Sequence, residues 1–166
     1  MAENVLASKL ARDYAVEVRP LNGAQEFVRV RGINNLTPGF EPNFEDTTDY
    51  DNDGWTSQEK TMQGWSLRLG MISKMDTESN ALDKGQQVLQ NAHDKFGSDS
   101  MVECRWYERD GGDEAYEGVA TVQWEPQGGS ATDLRTVNVT LQGNGGRRHI
   151  DNPAKNTGQT GEMGEQ

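Results

Sequence analysis

The sequence predicts a mainly β protein, an antiparallel β-sandwich or half-open barrel with one packed α-helix. Apolar and polar residues alternate in six short runs, whereas a single segment has helical spacing. The segments between the runs are rich in Gly, Asp, Asn and Pro, which is typical of turns between antiparallel strands. A length of 166 residues favours one domain.

The composition leaves little apolar material for a core. Hydrophobic residues make up 33% of the chain, and the formal net charge is -11. Leu, Ile, Val and Phe together fall below the roughly 20% at which disorder becomes an alternative. The acidic balance disfavours binding to DNA phosphates, which needs clustered Lys and Arg. No apolar stretch approaches the roughly 20 residues of a membrane span, so we expect no membrane partner.

Cysteine use and the first residues indicate a cytoplasmic origin. Cys104 is the only cysteine, which excludes an internal disulfide and a thiolate metal cluster within one chain. The first residues contain Glu3 and no uninterrupted apolar segment, unlike a secretory signal. We expect the protein to be made in the cytoplasm and kept there, at least initially.

The first three runs predict strands. Residues 13–19 and 26–32 predict a hairpin, because Asn22 and Gly23 between them favour a tight turn. Residues 64–72 give the strongest strand pattern. This run places four apolar side chains on one face, namely Trp65, Leu67, Leu69 and Met71.

One helix and three further strands follow. Spacings of three and four residues predict a helix over about residues 78–96, with Gly97 as its C-cap. The helical stripe consists of Leu82, Gly85, Leu89, Ala92 and Phe96. Residues 101–108, 115–125 and 134–142 again alternate and predict strands.

The chain after the last strand is poor in apolar residues. Residues 143–166 contain almost none apart from Ile150 and Met163, too few to bury a surface that would order them. The predicted organisation is therefore a β domain over residues 13–142 followed by a flexible tail over residues 143–166.

An acidic segment, residues 41–60, is the most distinctive local feature. Asp49, Asp51, Asp53 and Gly54 reproduce the opening of a calcium loop, in which alternate oxygens surround a hard cation. The twelfth position of such a loop is a bidentate Glu and is Lys60 here. The alternatives are a calcium site and a solvated acidic loop between strands.

No catalytic residue or cofactor site emerges from the sequence. His93 falls in the predicted helix and His149 in the predicted tail, neither with a partner at meaningful spacing. Cys104 lies on the inward face of a predicted strand, where a thiol is buried and inert. Trp65, Trp106 and Trp124 share such inward faces, whereas Trp55 either covers the core or anchors a partner chain.

The ordered elements together resemble a known family. The most specific parts are "LARDYAVEV", "VRVRGINNLTP" and "TTDYDNDGWTSQEKTMQGWSLRLGM", and the later "VQWEP" and "VNVTLQGNG" follow in the same order. Over about residues 9–142 the chain resembles the major tail tube protein of long-tailed bacteriophages of the siphovirus type, especially those of actinobacterial hosts.

The resemblance implies a structural protein and not an enzyme. Such subunits form hexameric rings that stack into a tube, through which viral DNA passes without specific binding. The expected location is the virion tail, after assembly in the host cytoplasm. The implied partners are other copies of the chain, a tape measure protein, a tail terminator and a distal tail protein.

The resemblance also indicates which parts touch neighbouring rings. These are an amino-terminal arm, residues 1–12, and the acidic loop, residues 41–60. The contact candidates in that loop are Phe44, Asp46, Asp49, Tyr50, Asp51, Asp53 and Trp55.

Two alternatives remain open at the level of sequence. One is a calcium-dependent β-sandwich binding module, and the other is a different tail protein such as a terminator or distal tail protein. An acidic, polar lumen would suit the passage of DNA, because like charges repel. Arg29, Arg31 and Arg68 on polar strand faces either pair with acids across subunits or line the channel.

Overall fold

A computed structural model describes residues 4–21, 23 and 25–156. In this part the chain forms eight strands and two helices. Their bounds are β1 (Tyr14–Pro20), β2 (Val28–Arg29), β3 (Ile33–Asp46), β4 (Gln58–Ile72), α1 (Lys84–His93), β5 (Met101–Glu108), β6 (Ala115–Gln127), β7 (Thr136–Gly143), β8 (Arg148–His149) and α2 (Pro153–Asn156).

The strands form one antiparallel sheet in the order β2-β1-β5-β6-β7-β4-β3, and β8 pairs with β6 beside this path. The two end strands, β2 and β3, do not pair with each other among the described residues, so the sheet is not closed. This arrangement confirms the predicted mainly β, half-open architecture with one packed helix.

The core lies on one face of the sheet. Trp106 is at its centre, with ring centroids 5.3 Å from Trp65 and 5.8 Å from Tyr116. Helix α1 closes this face by burying Leu89 and Ala92 against β1 and β6. The three tryptophans predicted to be inward, Trp65, Trp106 and Trp124, are buried, as is Cys104.

The predicted helix over residues 78–96 is too long at both ends. It begins at Lys84, because the Asp83 side chain caps its first turn by accepting from the Gln86 N–H. The predicted stripe is wrong at Phe96, which is 90% exposed. Gly97, with φ 62°, begins a 3-10 turn instead of capping α1.

The first hairpin is present but its second strand is short. β1 pairs with β2 as predicted, although only Val28 and Arg29 of the run 26–32 are in a strand. The Gly23 N–H donates to the Pro20 carbonyl, and Asn22 of the predicted turn lies outside the described residues.

Strand β3 was not predicted from the sequence. It contains Pro38 and Pro42, which lack the N–H that an interior strand needs. An edge strand tolerates proline, because one row of its backbone groups faces away from the sheet. Fourteen residues of β3 therefore form the free edge beside β4.

The predicted flexible tail is wrong for residues 143–156. Asn152 is buried, and its side-chain amide donates to the carbonyls of Glu108 (2.8 Å) and Gly112 (2.7 Å). These hydrogen bonds fasten Asn152 to the turn after β5. Residues 157–166 lie outside the described part. Neither of the two described helices has the length and hydropathy of a transmembrane segment.

Candidate assembly surfaces

Strands β3 and β4 extend beyond the rest of the sheet as a two-stranded ribbon. Their pairing runs from Ile33 opposite Met71 to Asp46 opposite Gln58, but β7 covers β4 only from Ser66 to Ile72. We call residues 40–65 the hairpin arm. Its paired part projects about 20 Å past β7 at the usual rise per strand residue.

The arm has two chemically different faces. Phe40 pairs with core-facing Trp65, so Phe40, Pro42 and Phe44 continue the core side of the sheet beyond the core itself. Both phenylalanines are about half exposed among the described residues. The other face carries four polar residues, Glu41, Asn43, Glu45 and Glu59, together with the exposed apolar Met62, while Lys60 and Gln63 share the face of Phe44 and Pro42.

The tip of the arm has a defined shape. Asp49 accepts from the Asp51 N–H (3.0 Å) and Asn52 accepts from the Asp49 N–H (2.8 Å). The side chains and backbone N–H groups of Asp49 and Asn52 form a reciprocal capping box on a 3-10 turn. Asp46 accepts from the Thr48 N–H (2.8 Å), and hydrogen bonds from Thr48 lower the pKa of that carboxyl. Outside this network, Tyr50 is fully exposed and Trp55 is 80% exposed.

These observations correct the prediction of a loop for residues 41–60 and exclude one of the two alternatives for Trp55. The segment is not a loop, since Phe44 and Asp46 belong to β3 and Lys60 to β4. Paired backbone groups stiffen it despite its many charges. Trp55 does not cover the core, because it lies at the far end of the ribbon.

Calcium binding by Asp49, Asp51 and Asp53 stays an untested alternative to the expectation of no cofactor. The Asp49 carboxylate caps the 3-10 turn, and Asp53 has a left-handed backbone with φ 52°. Within the described residues, no group of three or more His, Cys, Asp or Glu side chains is arranged to hold a metal ion.

The base of the arm is clamped by the segment after β7. The Arg147 guanidinium lies 4.5 Å from the centre of the Phe40 ring and 3.9 Å from that of Tyr116. The Trp65 indole N–H donates to the Gly145 carbonyl at 2.9 Å. A side chain at Gly143 would lie 2.3 Å from the Trp65 ring, so glycine is needed there. The glycine-rich run over residues 143–148 gave no signal for this clamp in the sequence.

The amino-terminal arm is exposed over most of its length. Val5 and Leu6 are almost fully exposed, whereas the Lys9 ammonium lies 2.5 Å from Oε1 of Glu108. Glu108 is 2% exposed and its Oε2 has no partner in the described residues. This hydrogen bond to Glu108 raises the pKa of Lys9. Residues 1–3 lie outside the described part.

The other residues considered for chemistry have structural surroundings. His93 accepts from the Trp124 N–H (3.2 Å) and so joins α1 to β6. His149 lies in β8, with a ring nitrogen 2.7 Å from the Asp113 carbonyl, and is not part of a loose tail. Burial raises the pKa of Cys104 to about 12, so its nucleophilic thiolate is scarce.

Comparison with solved structures shows which proteins share this fold. A chain from the tail of an empty gene transfer agent particle, refined with C6 symmetry, has a TM-score of 0.64 at 15% identity, covering 86% of this chain and 99% of that one. The SPP1 tail tube gives 0.63 at 13%, covering 85% and 79%. No protein-family model and no curated protein matches the chain.

A third similarity extends the fold to another kind of particle. A chain described with the sheath and tube terminator of an extracellular contractile injection system has a TM-score of 0.53 at 10% identity, covering 87% of this chain and 99% of that one. The fold of this protein is therefore shared with components of tail and injection particles.

Proposed function

We propose that the protein is a structural subunit of a bacteriophage tail tube. The observation that carries the proposal is the fold shared with the SPP1 tail tube and with a gene transfer agent tail. The C6 symmetry used for that tail supports rings of six copies here. The sequence resemblance further favours a long-tailed phage of the siphovirus type with an actinobacterial host.

The surfaces of the isolated chain support self-assembly. The arm carries a row of half-exposed apolar side chains, and β3 leaves a long free edge at the end of the sheet. Free strand edges and unpartnered apolar faces are covered in stable proteins, here by other copies of the chain. We assign inter-subunit contacts to Phe44, Asp46, Asp49, Tyr50, Asp51, Asp53 and Trp55 of the arm, and to residues 1–12.

The role is structural rather than catalytic. Stacked rings would enclose a conduit through which DNA leaves the particle, and a lumen without a phosphate-binding patch lets DNA slide. The subunits would assemble in the host cytoplasm and remain in the virion tail. A tape measure protein, a terminator and a distal tail protein would contact the tube from within and at its ends.

Electron microscopy of the purified full chain at increasing concentration tests the proposal. We expect hollow rings with six-fold class averages, and tubes at high concentration, with or without calcium. Particles that stay monomeric, or that change only when calcium is added, would favour the calcium-dependent binding module instead. Purified rings that never stack would favour a terminator or distal tail protein. A low copy number of the chain in the virion would support that alternative further.

A further inference from the structure

Four arginines line a groove beside strands β1 and β2. It has a volume of about 730 Å³ and lies between the first residues of β1 and the first residues of β3. The arginines that line it come from three parts of the chain, namely Arg12, Arg29 with Arg31, and Arg109. We call this the arginine groove.

The four guanidiniums are exposed and form no ion pair within the described residues, unlike Arg19, Arg105 and Arg148. Glu17 faces Arg29 across the strands, but its carboxylate is bonded to Arg105 and Tyr107. The nearby acids Asp13 and Asp83 do not bridge to the groove either, although Asp83 accepts from the Arg31 backbone N–H. The groove is thus a positive site on a chain whose net charge is -11.

A matching negative surface lies at the distal end of the hairpin arm. We call residues 45–59 the acidic tip. It carries six carboxylates, none of which forms an ion pair within the described residues: Glu45, Asp46, Asp49, Asp51, Asp53 and Glu59. Exposed Tyr50 and Trp55 accompany them, and arginine also stacks on aromatic rings, as Arg147 does on Phe40.

The tip cannot reach the groove of its own chain. Ile33 at the start of β3 lines the groove, whereas Asp46 at the other end of the same strand adjoins the tip. An extended strand of this length separates its ends by about 40 Å. Pairing with β4 along the whole strand keeps β3 extended. An acidic tip that enters an arginine groove must therefore come from a second copy.

We propose that the arginine groove is the docking site for the acidic tip of a second copy of the chain. This inference rests on the proposed tube function and adds the acceptor surface and its chemistry. The charges on both surfaces are exposed, so their attraction mainly guides the encounter of the two copies and aligns the two surfaces. Salt screens this attraction and therefore weakens the contact. Reversal of one side leaves like charges facing each other, which prevents docking.

Charge exchange tests the proposal on the full chain. The groove variant carries Arg12→Glu and Arg31→Glu, and the tip variant carries Asp51→Lys and Glu59→Lys. None of these side chains makes a described hydrogen bond or ion pair that the fold would lose. The control variant, Lys95→Glu with Arg135→Glu, reverses two exposed charges outside the groove.

Sedimentation and electron microscopy give the critical concentration for self-association. We expect it to rise roughly 100-fold for the groove and tip variants, because like charges then oppose docking, and to change little for the control. A chain that carries the groove and the tip substitutions together should have a critical concentration within about tenfold of that of the wild type. A combined variant that associates no better than either single-side variant would overturn the proposal.

The other outcomes separate this contact from the tube itself. If the wild type forms tubes and the groove variant assembles like the control, the docking proposal is wrong and the proposed tube function stands. Charge-dependent association without rings supports the groove and contradicts the tube. If the wild type binds a DNA duplex and the groove variant does not, the arginines serve DNA and the proposal is wrong.

Discussion

Trp55 and Trp65 lie on the same hairpin but in opposite environments. Trp65 is 4% exposed and contacts Trp106, whereas Trp55 is 80% exposed at the tip of the arm. The same contrast separates the sheet of β5 to β7, which buries its apolar side chains, from the arm, which leaves Phe40 and Phe44 half exposed. We infer that the sheet folds the chain and that the arm joins it to other copies.

The largest expected effect is the difference in stability between replacing a buried tryptophan and replacing an exposed tryptophan with alanine. Trp106→Ala empties the centre of the core and should lower the free energy of unfolding by about 3–5 kcal/mol. Trp55→Ala should change it by less than about 0.5 kcal/mol, since an exposed side chain loses no packing. Urea denaturation of both variants measures the difference. A Trp55→Ala loss as large as that of Trp106→Ala would end the distinction.

Thiol labelling sharpens the same contrast without removing any large side chain. Cys104 is fully buried and its pKa is raised to about 12, so iodoacetamide should modify it only when the chain unfolds. A cysteine at exposed Thr61 of the arm, in a Cys104→Ser background, should react at least about 100-fold faster in the native monomer. Assembly should then protect the arm cysteine, and mass spectrometry follows both reactions. Equal rates in the monomer would contradict the comparison.

A moderate effect is expected where the two regions meet. Arg147→Ala removes the guanidinium between Phe40 and Tyr116 and should cost about 1 kcal/mol of stability. Arg147→Lys should retain part of this stacking, which a neutral side chain cannot. Thermal unfolding measures the cost, and Arg135→Ala serves as the control on an exposed arginine outside the clamp. If Arg135→Ala lowers the stability as much as Arg147→Ala does, the stacking of Arg147 does not clamp the arm.

The smallest effect concerns the amino-terminal arm. The hydrogen bond to Glu108 raises the pKa of Lys9 above 10.5, so the pair stabilises the fold below that pH and is lost as the pH rises through the folded-state pKa. The stability difference between wild type and Lys9→Met should therefore shrink above pH 10.5. Urea midpoints across this range measure it, with Lys95→Met as the control. A difference that does not change with pH would contradict this link.

The sequence predicted the core strands better than the arm, and burial explains why. Val102, Cys104 and Trp106 alternate with polar residues because one face of β5 is covered and the other is not. Strand β3 meets water on both sides along the arm, so proline and acidic residues are tolerated and hide the pattern. The spacing of Phe40, Pro42 and Phe44 was the signal available for it.

The candidate surfaces depended even more on the three-dimensional structure. The acidic tip is continuous in sequence, and the seven contact residues predicted for the acidic segment all lie in the hairpin arm. The arginine groove joins Arg12 and Arg109, which are distant in the chain and meet only because β1 pairs with β5. The clamp on the arm likewise required the segment after β7, whose composition indicated a flexible tail.

Hydrogen–deuterium exchange in the free and the assembled protein tests the central claim most directly, because it reports each backbone segment separately. We predict that residues 41–60 exchange faster than β5 in the free chain and become strongly protected on assembly, while β5 is protected in both states. Equal protection of residues 41–60 in the free and the assembled protein would contradict the account.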